Sequence, residues 1–278
     1  MYYVIAAFVL LGGLYYYSAE NKKNKELRER EDAALFSQAS ALFKPISSID
    51  FGTTNADMVH LGKYLFFEKK LSNNGNISCN SCHNLANYGV DNLATSPGDD
   101  GIQGKRNSPT VFYASLHAMQ FWDGRAKDVE EQAGGPILNP VEHNLASEAD
   151  VVARIENEEL YIDWFRRAFP EEDKPINFAN LTKAIGAFER TLNPVSRFDS
   201  YLDGDKNALN KQEKKGLSSF MSSGCTTCHN GVALGGQIFQ KFGLYTDYWN
   251  LTKSKEIDNG LADLTNKDSD KHFFKVPS

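Results

Sequence analysis

The sequence predicts an all-α fold of two similar domains behind an apolar N-terminal segment, and three observations carry that expectation. Apolar residues recur at helical spacing, most cleanly at Phe178, Leu181, Ile185, Phe188 and Leu192, which advance by alternating steps of three and four. No period-two alternation persists over a convincing strand length. The pentad Cys79-Asn80-Ser81-Cys82-His83 returns as Cys225-Thr226-Thr227-Cys228-His229, and the two copies contain all 4 cysteines of the 278-residue chain.

The first segment, MYYVIAAFVLLGGLYYYSA, has no charged side chain. At helical rise it nearly spans a bilayer core, and tyrosines at both ends suit the interfaces. A cleaved signal peptide competes, but no Lys or Arg precedes the apolar run, and Tyr17-Ser18-Ala19 is a poor cleavage pattern. Residues 1–19 are therefore expected to be a transmembrane anchor. Lys22, Lys23, Lys25, Arg28 and Arg30 follow it and on their own favour a cytoplasmic side.

Residues 20–50 read as a charged tether, or a solvated helix, and a first short helix marked by Ala34, Leu35, Ala41, Leu42 and Phe43. Val59, Leu61, Leu65 and Phe66 mark another helix. Ser147 with Asp150, Asn177, and Asn210 with Glu213 are helix-start signals. Residues 84–109 are rich in Gly, Asn, Ser and Asp without periodicity, as in a long loop that is functional or disordered. LGKYLFF and KGLSSFM precede the two pentads, each leading to a glycine, Gly75 or Gly224. Duplication explains the repeat economically. With a boundary near Asn193-Pro194, the domains are expected at 51–195 and 196–278. A net charge of −6 argues against nucleic acid, which requires a basic face.

Cys-x-x-Cys-His suits covalent capture of haem: each thiol adds to one vinyl group and the histidine binds iron. Zinc would leave no role for a histidine at the same place twice. A thioredoxin-like pair would want a βαβ context, and a disulfide within Cys-x-x-Cys is strained and staples nothing distant. Cys79, Cys82 and His83, and Cys225, Cys228 and His229, are thus expected to hold two haem c groups. Such attachment takes place outside the cytoplasm, which places the chain in the periplasm, anchored to the inner membrane, despite the lysines after the span.

The ordered runs LGKYLFFEKKLSNNGNISCNSCHN, GKRNSPTVFYASLHAMQFWDGRA and EEQAGGPILNPVEH resemble the bacterial di-haem cytochrome c peroxidases. That family is similar to the di-haem enzymes that mature methylamine dehydrogenase. The likeness runs from Leu61 to Ser278 and implies two cytochrome c-like domains. It implies reduction of H2O2 to water at the first haem, with electrons entering through the second from a small cytochrome c or cupredoxin. Gln132 and Glu142 match the family's distal-pocket glutamine and acid, and Glu142 is the expected general acid and base. Read without the resemblance, Glu142 is equally a solvated loop carboxylate. Trp122 matches the tryptophan between the haems, and Asn107 a side-chain ligand of one calcium ion. The family's homodimer is implied by analogy. The alternative to the enzyme is a non-catalytic, membrane-anchored di-haem electron carrier.

Two departures stand out. Many family members carry a histidine that caps the reactive iron in the resting state, and Asp99 occupies that position here. An iron without this cap needs no reductive activation. The family's second iron takes a methionine downstream of the FKVPS motif, and no methionine follows His229. The chain is therefore expected to be truncated at its C-terminus, or the second iron to have another ligand.

Overall fold

The computed structural model describes residues 2–52 and 55–278, with side chains from Tyr16 onward. Its helices are α1 (Tyr2–Leu42), α2 (Ala56–Phe67), α3 (Cys79–Cys82), α4 (Val129–Leu138), α5 (Glu148–Ala153) and α6 (Glu159–Ala168). They continue with α7 (Phe178–Glu189), α8 (Arg197–Leu202), α9 (Lys211–Ser222), α10 (Tyr248–Thr252) and α11 (Ala262–Thr265). Contacts gather the chain into two compact units, Met1–Ser48 with Val195–Thr227 and Ile49–Pro194 with Cys228–Ser278.

In the first unit the end of α1 packs on α8 and α9. Ala39 and Phe43 are fully buried, and the Phe43 ring meets Phe198 edge-on at 5.3 Å. Ser196 caps α8, and Asn210 with Glu213 forms the reciprocal capping box of α9.

The expected transmembrane anchor requires correction. Residues 1–19 do not stand apart as a span: α1 is one 41-residue helix that continues through the charged residues 20–32. No helix stop separates the apolar run from the charged one, so the expected tether and first short helix belong to the same element. Among the described residues, no helix is long and apolar enough to cross a membrane. The side chains of residues 1–15, on which that expectation rested, lie outside the described residues.

In the second unit α2, α4 and α5 pack on α7, and α6 packs on α2. The predicted stripe is the reason: Leu181 and Ile185 are fully buried and Phe188 nearly so. Asn177 accepts from Asn180 N at 2.9 Å, so the helix starts where its cap was expected. Gly62 lets α2 and α7 close up, because a Cβ there would lie 1.8 Å from Ala184 O. One element was not legible in advance, the antiparallel pair β1 (Phe239–Lys241) and β2 (Phe273–Lys275), with Phe239 opposite Lys275. Three residues are too few to display an alternation.

Candidate active site

The first pentad lies wholly in the second unit. Its cysteines form the single turn α3, and His83 N closes it onto Cys79 O at 2.9 Å. Ser81 Oγ accepts from Ser78 N at the start of that turn. Burial lowers the His83 pKa, leaving the ring neutral. Its Nδ1 lies 3.0 Å from Pro109 O, so Nδ1 carries the proton and Nε2 offers its lone pair to a metal. Burial, and then the charge of Glu189, push the Cys79 thiol up to about 12, and burial also raises Cys82. Two neutral thiols beside a neutral, pre-oriented imidazole fit thioether attachment and axial ligation by haem.

Glu142 lies four residues beyond the end of α4, close enough to this pentad for its charge to act on both thiols. Pro136 sits inside the last turns of α4, and the NPVEH segment folds back on that end. His143 N bonds Pro136 O at 3.1 Å and Leu145 N bonds Ile137 O at 3.1 Å. The Glu142 side chain is half-buried, and Oε1 accepts from Asn139 Nδ2 at 2.7 Å. Burial raises its pKa, while the Arg125 charge and the Asn139 bond oppose the rise. Its charge in turn raises the pKa of both Cys79 and Cys82, so the carboxyl and the thiols share one electrostatic neighbourhood. Gln132 is half-buried on α4. His143 is buried, with Nδ1 2.7 Å from Leu71 O.

The segment around Asp99 is latched to the Glu142 loop. Asp99 N donates to Glu142 O at 2.8 Å. A Cβ on Gly98 would lie 1.9 Å from Val141 O, so only glycine allows this approach. The buried Asp99 carboxylate accepts from Asn74 N and Asn76 N. Burial works against its charge, yet these bonds hold its pKa below the ordinary value. Asp100 adds bonds from Asn74 Nδ2 and Asn144 Nδ2.

Trp122 is half-buried, and its Nε1 donates to Asn107 O at 2.9 Å. Asn107 is exposed and uses its own Nδ2 on Leu93 O at 2.7 Å. Among the described residues there is no cluster of three or more His, Cys, Asp or Glu placed to hold a metal ion. Arg106 joins the neighbouring segments, pairing with Asp123 at 2.6 Å and bidentately with Asp258.

The division between units falls inside the second pentad, with Cys225 in the first unit and Cys228 and His229 in the second. His229 repeats the arrangement of His83, with Nδ1 2.9 Å from Leu234 O. Sequence reasoning found both histidines but neither orienting carbonyl, since any residue supplies a backbone oxygen. It also missed Asn139 and Arg125, although each lies inside a recognised motif.

Two Cys-x-x-Cys-His pentads, each with its imidazole turned by a carbonyl, define a helical protein built for two covalent haems. The family model for di-haem cytochrome c peroxidase matches residues 56–207, and the chain belongs to that family. It is 46% identical over 248 residues to the cytochrome c551 peroxidase of Pseudomonas aeruginosa, covering 87% of this chain and 71% of that one. It is 44% identical over 250 residues to the cytochrome c551 peroxidase of Nitrosomonas europaea, covering 88% and 72%. Among solved structures it resembles a MauG-like protein associated with microbial copper homeostasis. That match has a TM-score of 0.74 and 30% identity, covering 84% of this chain and 72% of the other.

Proposed function

We infer that this chain is a cytochrome c peroxidase, reducing H2O2 to two waters with two electrons and two protons. The observation that carries the reading is a partly buried acid, Glu142, held beside the first haem-attachment pentad. When bound, haem at His83 supplies the iron at which the peroxide O–O bond is reduced. Glu142 takes the proton from the nearer peroxide oxygen and returns it to the departing one, so that the second oxygen leaves as water. Because that proton belongs to the peroxide itself, both protons of the net reaction come from solvent and go to the remaining oxygen, which takes up the two electrons and leaves as the second water. Asn139 Nδ2 holds the carboxyl at Oε1 and leaves Oε2 for the proton. Gln132 offers an amide donor to the peroxide, and the Arg125 charge favours the developing anion. Trp122 is assigned to carry electrons between the two haem sites.

Electrons are assigned to a small cytochrome c or cupredoxin, and the location to the periplasm, because haem is attached covalently outside the cytoplasm. A calcium ion at Asn107 and a homodimer complete the reading. They are tested by the loss of activity in chelator and its return with Ca2+, and by sedimentation.

Glu142→Gln tests the core of the proposal. Peroxide turnover is expected to fall about 10²–10⁴-fold, the usual loss on removing a general acid–base group, with two haems still bound per chain. Turnover within a few fold of wild type would remove Glu142 from the mechanism.

A further inference from the structure

Among the described residues, Lys275 is a buried ammonium with no carboxylate paired to it. It ends β2 with only 6% of its surface exposed, and its main-chain N–H is fixed to Trp122 O at 2.7 Å. Its side chain faces a cleft of about 230 Å3 that Asn107, Pro109, His117, Trp122 and Ser278 also line, with no Asp or Glu among the lining residues. Among the described residues its side chain bonds only His117, whose Nδ1 lies 2.8 Å from Nζ. The ammonium cannot accept, so Nδ1 does, and the His117 proton sits on Nε2 facing Ser278 Oγ at 2.6 Å. One of three ammonium N–H groups is thereby used and two remain. Burial lowers the Lys275 pKa to about 8 with no anion opposing it. Burial, and then the lysine charge, lower His117 to about 4, so the ring stays a neutral acceptor.

The pair is held in place. A Cβ on Gly236 would lie 2.1 Å from His117 Cδ2, and Gly236 bonds both Ala118 N and Val276 O through its main chain. Pro109, whose carbonyl orients His83, lines the cleft. Gly236 follows Leu234, whose carbonyl orients His229, by two residues. A fixed cation in a cleft without carboxylates is organised for an anion brought from outside the polypeptide.

We propose that this cleft is a carboxylate-binding site, in which Lys275 Nζ receives a propionate of a bound haem while His117 holds the ammonium in position. The proposal rests on the two haems of the family and not on the peroxide chemistry. A propionate is favoured over a free anion because the thioether bonds keep it at high effective concentration. The cation offsets the propionate charge that otherwise favours ferric iron, so Lys275 raises that haem's potential.

Redox titration of the two-haem protein tests this. Lys275→Met is expected to shift one haem about tenfold toward the ferric form, a fall of about 59 mV for a one-electron couple. Lys275→Arg stays near wild type. Unchanged potentials in Lys275→Met overturn the proposal. So does a wild-type potential that moves when formate or inorganic phosphate is added at constant ionic strength, which would make this a site for free anions. If Lys275→Met fails to carry two haems, resonance Raman spectra of the wild type decide. A propionate bending band that shifts in D2O supports the ammonium contact, and no shift at either haem overturns it. None of these readouts needs peroxide turnover, so an inactive wild type would count against the peroxidase reading alone.

Discussion

In the proposed mechanism Glu142 serves two opposed needs, charged to take a proton and neutral to give one. Burial raises its pKa, with Arg125 and Asn139 working the other way. In that mechanism the anion begins the cycle, so kcat/KM is expected to fall as pH drops through this pKa. Asn139→Ala removes a bond to the anion, raising the pKa and moving the acid limb of the pH profile to higher pH. A limb that stays put would show Asn139 to be irrelevant. Glu189 offers a test of stability, because burial, and then Glu130, raise its pKa to about 8. A carboxyl raised in the folded state binds its proton there while the unfolded chain has lost it, so stability falls as pH rises from the ordinary carboxylate range to about 8. Thermal unfolding midpoints at pH 5 and pH 8 should drop further for wild type than for Glu189→Gln; equal drops would refute the assignment. The two pentads were legible because one covalent reaction fixes both residue types and spacing. Asn139, Pro109 and Leu234 were not, since an amide or a carbonyl takes its role only from where the fold puts it.

Helix α7 was the most legible element, because its apolar stripe and its Asn177 cap report the same start independently. The α2–α7 contact was not. The sequence offers Gly62 as one small residue among many, whereas the structure leaves no room there for a methyl group. Gly62→Ala is expected to cost about 1–3 kcal/mol, as overpacking does, and to lower the urea midpoint without altering the slope. An unchanged midpoint would mean that the helices separate freely. The strands β1 and β2 were hidden by their shortness, although β2 presents Lys275 and is fixed to Trp122. The unperiodic stretch from 84 to 109 reads from sequence as functional or disordered, and its attachment to the Glu142 loop depends on pairings distant in sequence.

At the scale of the whole chain, the two-haem plan could be read from two pentads, and the N-terminal plan could not. Hydropathy separated an apolar half from a charged half, while helical hydrogen bonding runs through both as α1. Within the second unit, Arg106 links Asp123 and Asp258 across a long span of chain, with 23% of its side chain exposed. Arg106→Ala strands two carboxylates and should destabilise by about 1–3 kcal/mol, below the range for a fully buried pair, read as a lower thermal midpoint. No change would mean that water replaces the guanidinium at no cost. The Asp99 latch has a consequence for the enzyme's history. With its walls joined through Gly98, Asp99 and Asp100, the pocket is expected to hold one arrangement in both redox states and so to keep no record of the last one. The first peroxide molecule should be consumed as fast as the hundredth, with progress curves from fully oxidised enzyme starting straight. A lag abolished by prior reduction would show that the latch opens.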